Sequence, residues 1–280
     1  MRQRFRIRNI IDISSILLFV IIFTSCQELT VSAKMGKHDT KASEELGAAV
    51  LWQQTSAEAR ALYYQIFYFA KTELSNKLTV HSGKPAAIVL DIDETVLDNS
   101  PYEAMLYKDG RDYPYKWKEW IEYAGASAVP GVLDFLNYAQ SRQVQIFYVT
   151  NRKEAGRAAT LKNLTDLDFP FAVNDHLLMR TEENDKSARR KRVSEDFDII
   201  LYLGDNLGDF DNSFQDLPVK QRAAMVDSLR HEFGTRFIIL PNPMYGDWLG
   251  AVYDYDYGHD KDEKRQMRID ALRVFEKAGH

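Results

Sequence analysis

Short apolar runs closed by polar residues recur along the chain, separated by stretches with helical spacing. Residues 86–90 (Ala-Ala-Ile-Val-Leu) form one such run, ending at Asp91. Residues 144–149 form a second, interrupted only by Gln145 and ending at Thr150. Residues 199–203 end at Gly204-Asp205, and residues 237–240 end at Pro241. Runs this short, without alternation, suit strands buried on both faces. Between them, residues 132–142, 154–167 and 187–197 carry helical spacing. Strands alternating with helices predict an α/β fold, a parallel sheet with helices on both faces. Upstream, Thr55 and Glu58 have capping-box spacing, and Ala59, Leu62, Tyr63, Ile66, Phe67, Ala70 and Leu74 recur on one helical face. That predicts a long amphipathic helix over 56–78, with its aromatics (Tyr63, Tyr64, Phe67, Tyr68, Phe69) read as core. Residues 101–130, rich in Tyr and Trp, break the alternation and predict an insertion after the first strand. With the N-terminal helix it is expected to form a small, mainly helical cap.

The start of the chain has another character. Arg2, Arg4, Arg6 and Arg8 precede an apolar run over 13–23, broken by Ser14 and Ser15, and then Thr24, Ser25 and Cys26. A basic segment, a short apolar segment and small residues at the cleavage point describe a secretory signal. Spanning a bilayer takes about 20 apolar residues, and this run, limited by Asp12, falls short. Phe23-Thr24-Ser25-Cys26 resembles a bacterial lipobox, whose cysteine becomes the lipidated first residue. The expected layout is a signal peptide over 1–25, a polar tether over 26–45 and one globular domain over 46–280, its insertion at about 100–130. The resemblance implies a protein of the bacterial cell envelope, lipid-anchored at the outer membrane and facing the periplasm or the exterior.

Composition narrows the chemistry. The 280 residues are 45% hydrophobic and 28% charged, which suits a globular domain and excludes disordered or multi-span classes. Net charge is −5, and losing residues 1–25 with their four arginines and one aspartate makes it −8. An acidic chain is a poor partner for a nucleic-acid polymer. With one cysteine there is no intrachain disulfide and no cysteine metal cluster, and the six histidines show no ligand spacing. A metal here would need carboxylates.

Carboxylates stand at the strand ends. In open α/β sheets, ligands bind beyond the carboxyl ends of the strands, so Asp91, Thr150 and Asp205 should converge. Asp91-Ile92-Asp93-Glu94-Thr95 is no calcium loop, because Val96 and Tyr102 stand where that loop needs Gly and Glu. Two carboxylates at close range repel, and a hard divalent cation relieves this. Asp205 and Asp209 add oxygens, and few protein ligands with retained waters suit Mg²⁺. A metal beside a carboxylate suits phosphoryl transfer, and an aspartate can be the nucleophile.

These motifs resemble those of the haloacid dehalogenase (HAD) superfamily. They are Asp91-Ile92-Asp93-Glu94-Thr95, then Thr150 in Tyr148-Val149-Thr150-Asn151-Arg152, then Lys186, and last Gly204-Asp205-Asn206-Leu207-Gly208-Asp209-Phe210. More narrowly, residues 89–100 and 240–248 resemble the class C acid phosphatases, bacterial lipoproteins with 5′-nucleotidase-like activity. The resemblance implies a HAD-like sheet and assigns roles by position. Asp91 would be the nucleophile and a Mg²⁺ ligand. Asp93 would be the general acid/base and a ligand through its main-chain carbonyl. Asp205 would be the third ligand, and Asp209 would support the metal waters or the lysine. Thr150 and Lys186 would hold the phosphoryl oxygens, with Lys191 as an alternative to Lys186. The expected activity is Mg²⁺-dependent hydrolysis of small phosphate monoesters, chiefly nucleoside 5′-monophosphates, through an aspartyl-phosphate. The alternatives are a phosphotransferase of the same fold and a non-catalytic solute-binding lipoprotein. The oligomeric state stays open.

Trp117, Trp120 and Tyr245 are candidates for stacking on a base, weighed against packing of the insertion. Arg189, Arg190, Lys191 and Arg192 read as a solvated helix face in preference to a substrate-phosphate patch. Asp254, Asp256, Asp260 and Asp262 read as solvated surface.

Overall fold

The computed structural model describes residues 44–275. The expected signal peptide, Cys26 and all but the last two residues of the expected tether lie outside the described residues. Those two residues, Glu44 and Glu45, already belong to a helix, α1 (Glu44–Thr55). A longer helix, α2 (Ala57–Val80), follows. Its N-cap is Ser56, whose hydroxyl accepts from the Ala59 amide at 2.8 Å, one residue beyond the Thr55 cap the spacing suggested. Tyr63, Phe67, Ala70 and Leu74 face inward, while Tyr64, Tyr68 and Phe69 are exposed, so the aromatic stripe is core only in part.

Five strands make the parallel sheet: β1 (Ala86–Leu90), β4 (Gln145–Lys153), β5 (Leu177–Arg180), β6 (Asp198–Gly204) and β7 (Phe237–Ile239). Their order is β5-β4-β1-β6-β7. In the middle, Val89 of β1 pairs with Phe147 of β4 on one side and Tyr202 of β6 on the other. All five residues of β1 are buried, as the unbroken apolar run requires. Ile88 and Leu90 point to one face, where they meet Tyr63 and Phe67 of α2, Phe135 of α5 (Val132–Ser141) and Leu164 of α6 (Arg157–Asp166). Ala87 and Val89 point to the other, where Val193 of α7 (Ser187–Asp196), Phe210 and Phe237 close a second core. Helices therefore cover both faces. Burying a side chain such as Ile88 is worth roughly 1.5–3 kcal/mol.

The insertion carries a two-stranded antiparallel ribbon, β2 (Leu97–Asp98) with β3 (Ser127–Ala128), and two short helices, α3 (Ser100–Asp109) and α4 (Trp117–Tyr123). The cap is assembled on it by α1, which packs on α3, while α2 belongs to the sheet layer beside α5. Gly47 permits that approach: a Cβ there would stand 2.6 Å from the Tyr107 ring. The sequence pattern did not pick out α1, the edge strand β5, the elements within the insertion or the helices after β6. After β6 come α8 (Val219–Ser228), then α9 (Asp247–Val252) beyond β7, and α10 (Lys261–Asp270). Asp254, Asp256, Asp260 and Asp262 are exposed, as expected of solvated surface. Among the described residues, no helix is long and apolar enough to cross a membrane.

Candidate active site

The carboxyl ends of β1, β4 and β6 bring Asp91, Thr150 and Asp205 to one edge of the sheet. One carboxylate oxygen from each of Asp91, Asp205 and Asp209 lies within 4.8 Å of the other two. Lys186, at the N-terminus of α7, reaches in between them. Its Nζ donates to Asp91 Oδ1 at 2.5 Å and to Asp209 Oδ1 at 2.6 Å. Lys191 is exposed, so the lysine at this site is Lys186. Burial alone would lower the Lys186 pKa, but Asp209 and Asp91 hold it above the ordinary value. The Asp91 carboxyl is pushed up to about 7, chiefly by burial. Lys186 pulls it down, while Asp209 and Asp93 raise it. Asp205 is held well above the usual carboxylate range, by burial and then by Asp209 and Asp91, although Asn242 Nδ2 donates to it at 2.8 Å. Three carboxylates facing one ammonium leave surplus negative charge. An all-oxygen donor set of this kind fits a hard divalent cation.

Local backbone chemistry sets this geometry. The last residue of β6 is Gly204, and a Cβ there would overlap the Asp209 carboxylate. Asp209 also accepts from the Asn206 amide at 3.0 Å, closing a capping box on the turn after β6. Asp209 thus accepts from Lys186 while fixed on this turn.

Asp93 is held apart from that cluster. Its Oδ1 accepts from Asn99 Nδ2 at 2.8 Å and Arg152 Nε at 2.9 Å, and Arg152 Nη2 lies 2.8 Å from the same oxygen as an ion pair. Asn99 is fully buried, and its side-chain oxygen accepts from Trp120 Nε1 at 2.7 Å and Arg152 Nη2 at 3.3 Å. Glu94 is also fully buried, with φ of 56°, a left-handed conformation uncommon outside glycine. Three donors fix its carboxylate: the Asn99 amide at 2.7 Å, Asn99 Nδ2 at 3.0 Å and the Tyr245 hydroxyl. Burial, and then Asp93, hold the Glu94 carboxyl well above the usual range.

Thr150 is buried, and its hydroxyl accepts from the Arg152 amide at 3.1 Å. Its carbonyl accepts from Arg189 Nη1 at 2.5 Å. Arg189 Nη2 reaches Asn151 Oδ1 at 2.7 Å and the Asp185 carbonyl at 3.0 Å. Arg190 is buried, its Nη1 donating to the carbonyls of Gly208 at 2.9 Å and Asp209 at 3.1 Å. The reading of 189–192 as a solvated face is therefore corrected for these two arginines, which tie the catalytic loops to α7. The expectation fails because neighbouring carbonyls from the ends of β4 and β6 lie within reach of the helix's first turn.

The three aromatic candidates stand around Asp93. Trp120 bonds Asn99, Tyr245 bonds Glu94, and Arg152 lies over the Trp117 ring at 5.9 Å. Trp117 also packs edge-on against Tyr102 at 4.9 Å. All three are half-buried. Sequence reasoning did not single out Asn99, Arg152, Glu94, Asn242, Arg189 or Arg190 for these contacts. For Arg152 a signal existed, since it lies two residues after Thr150 in a strand and so on the same face.

The fold and these strand-end motifs define a HAD-type protein. Residues 20–248 match the sequence profile of the HAD superfamily, subfamily IIIB (acid phosphatase), and the chain belongs to that family. It is similar to the class C acid phosphatase from Bacillus anthracis, with 46% identity and a TM-score of 0.82 over 84% of this chain and 100% of that one. The same enzyme with tungstate bound matches at the same identity and TM-score over 85% of this chain. Acid phosphatase 1 of Solanum lycopersicum is 26% identical over 169 residues, 56% of this chain and 57% of that protein. The chain thus spans a little over half the length of that curated relative. The expected family and fold are borne out.

Proposed function

We propose that this protein is a Mg²⁺-dependent phosphomonoesterase acting through an aspartyl-phosphate, with nucleoside 5′-monophosphates as preferred substrates. The observation that carries the reading is the Lys186 bridge between Asp91 and Asp209 at the sheet edge. Membership of the acid phosphatase subfamily supports hydrolysis of phosphate monoesters. That a relative was solved with tungstate bound supports oxyanion binding in this family, and Lys186 and Thr150 would be the holders here. Asp91, Asp205 and the Asp93 main-chain carbonyl would hold the cation, which supplies charge neutralisation for the transferred group.

In the first step, an Asp91 carboxylate oxygen attacks phosphorus. The ester P–O bond breaks, and the leaving oxygen takes a proton from Asp93. In the second step, water gives a proton back to Asp93 and attacks phosphorus. The P–O bond to Asp91 breaks, inorganic phosphate departs and the carboxylate is restored. Trp117 and Tyr245, near Asp93, would meet the organic part of the substrate, while Trp120 turns its indole N–H to Asn99. A lipid at Cys26 and residence at the outer membrane complete the proposal.

Phosphate release from a panel of esters, with Mg²⁺ and with a chelator, tests it. Activity is expected with Mg²⁺ and lost with the chelator. Base stacking is worth roughly 1–3 kcal/mol, so kcat/KM for a nucleotide should exceed that for glycerol phosphate by about tenfold or more. Asp91→Asn should be inactive and form no phosphorylated protein. Full activity in Asp91→Asn overturns the mechanism.

A further inference from the structure

We infer that Asn99 is a positioning residue that aims Asp93 at the leaving oxygen, and that Trp120 locks Asn99 in that role. The inference rests on the proposed acid/base role of Asp93. An asparagine side chain offers two N–H donors and two lone pairs. Asn99 spends all four: its donors go to Asp93 Oδ1 and Glu94 Oε2, and its acceptors take Trp120 Nε1 and Arg152 Nη2. This fixes which end is oxygen and which is nitrogen, because a flipped amide would face donors with donors. The side chain is fully buried, so water cannot replace a lost partner.

The consequence falls on Asp93. Both hydrogen bonds it accepts, from Asn99 Nδ2 and Arg152 Nε, land on Oδ1, and the Arg152 Nη2 ion pair is with the same oxygen. Among the described residues, no donor reaches Oδ2. One oxygen is anchored and the other is presented, so Oδ2 is the atom that exchanges the proton with substrate. Arg152 supplies charge from one side, but a guanidinium alone leaves the carboxylate free to pivot about it. Asn99 is the second point of attachment. Glu94, in its left-handed conformation, holds the Asn99 backbone amide as well as its side chain, which anchors the anchor. Trp120 supplies the remaining contact from the insertion, a segment outside the sheet.

The experiment separates aiming from general support. Asn99→Asp keeps the shape and the accepting oxygen and replaces the nitrogen that donates to Asp93 and Glu94 with a carboxylate oxygen. An alkyl leaving group needs the proton and a nitrophenolate does not. General acid–base help is typically 10²–10⁴-fold, so kcat/KM for glycerol phosphate should fall by about tenfold to a hundredfold when aim is lost. With p-nitrophenyl phosphate, kcat/KM should stay within about threefold, and a burst of nitrophenolate should precede a slower steady state, because water attack still needs Asp93. Trp120→Phe keeps a ring and removes a single donor. It should show the same selective loss at about threefold to tenfold, and it decides the matter if Asn99→Asp does not fold. Equal losses on both substrates, or none on glycerol phosphate, overturn the inference. A wild-type protein inactive on every ester overturns the phosphatase reading itself, and the inference with it.

Discussion

Glu103 of α3 is a buried carboxyl outside the site, pushed up to about 7 by burial and then by Asp112. Below pH 4 both folded and unfolded chains hold its proton. Between about 4.5 and 7 the folded state keeps a proton that the unfolded state has lost, so stability from this group drains away as pH rises through that window. Above it the loss is complete. Glu103→Gln, a neutral side chain of the same shape, should raise Tm at pH 8 and leave it nearly unchanged at pH 4. The gain at pH 8 should be about 3 kcal/mol at most, since each tenfold change in proton affinity is worth about 1.36 kcal/mol. Thermal melts at the two pH values check it, and an equal change at both removes the ionisation argument. Single residues also show where sequence reading reached its limit. Asp91, Thr150 and Asp205 were legible because each closes an apolar strand. Asn99 and Arg152 were not, because separately they read as a helix start and a strand-end charge. Their meaning lies in a contact across 53 positions of sequence.

The helix α7 is an element whose sequence works against its own electrostatics. Lys186, Arg189 and Arg190 crowd its N-terminal end, where the helix dipole favours anions. The cost is offset because each cation has oxygen partners on a neighbouring loop: Lys186 on Asp91 and Asp209, Arg189 on Thr150, Arg190 on Gly208 and Asp209. The helix start thereby concentrates positive charge beside the expected phosphoryl site and fixes the loops at the ends of β4 and β6. Arg190→Gln should lower stability by about 1–3 kcal/mol, since it orphans buried carbonyls, and should weaken inhibition by inorganic phosphate severalfold. Denaturant melts and the phosphate inhibition constant measure the two effects. An unchanged constant in a folded variant would show that Arg190 does not shape the anion site. Elements were legible to the extent that they carried a strong period. The buried runs of β1, β4, β6 and β7 and the faces of α2, α5, α6 and α7 did. The edge strand β5 has four residues, and the apolar residues of α1 are spread round the helix with no single face, so neither stood out.

Across the whole molecule, the sheet places Asp91, Asp205 and Asp209 against one another where two cores meet, and the folded state carries their mutual repulsion. A cation that binds the folded chain and not the unfolded one stabilises it by mass action, about 2.7 kcal/mol at a hundred times its Kd. Tm should therefore climb with Mg²⁺ concentration, fall in chelator, and lose this dependence in Asp205→Asn. Calorimetric scans across a Mg²⁺ series test this, and a flat Tm in the wild type argues against a cation site. The parallel class followed from the alternation of strands and helices. The order of strands did not, because nothing in the apolar runs says which neighbour each takes. That order, with β1 in the middle, bears on how the protein is made. The strand that ends at Asp91 leaves the ribosome early, and one of its two neighbours, β6, comes only with residues 198–204. At roughly 5–20 residues per second, the chain between Asp91 and Asp205 takes about 6–23 s to synthesise. Until that interval ends, Asp91, the proposed nucleophile, lacks Asp205, Asp209 and the completed strand β6. On the proposed mechanism, catalytic competence then arrives late, so a polypeptide that ends before Asp205 has no means of consuming phosphate esters where it is being built.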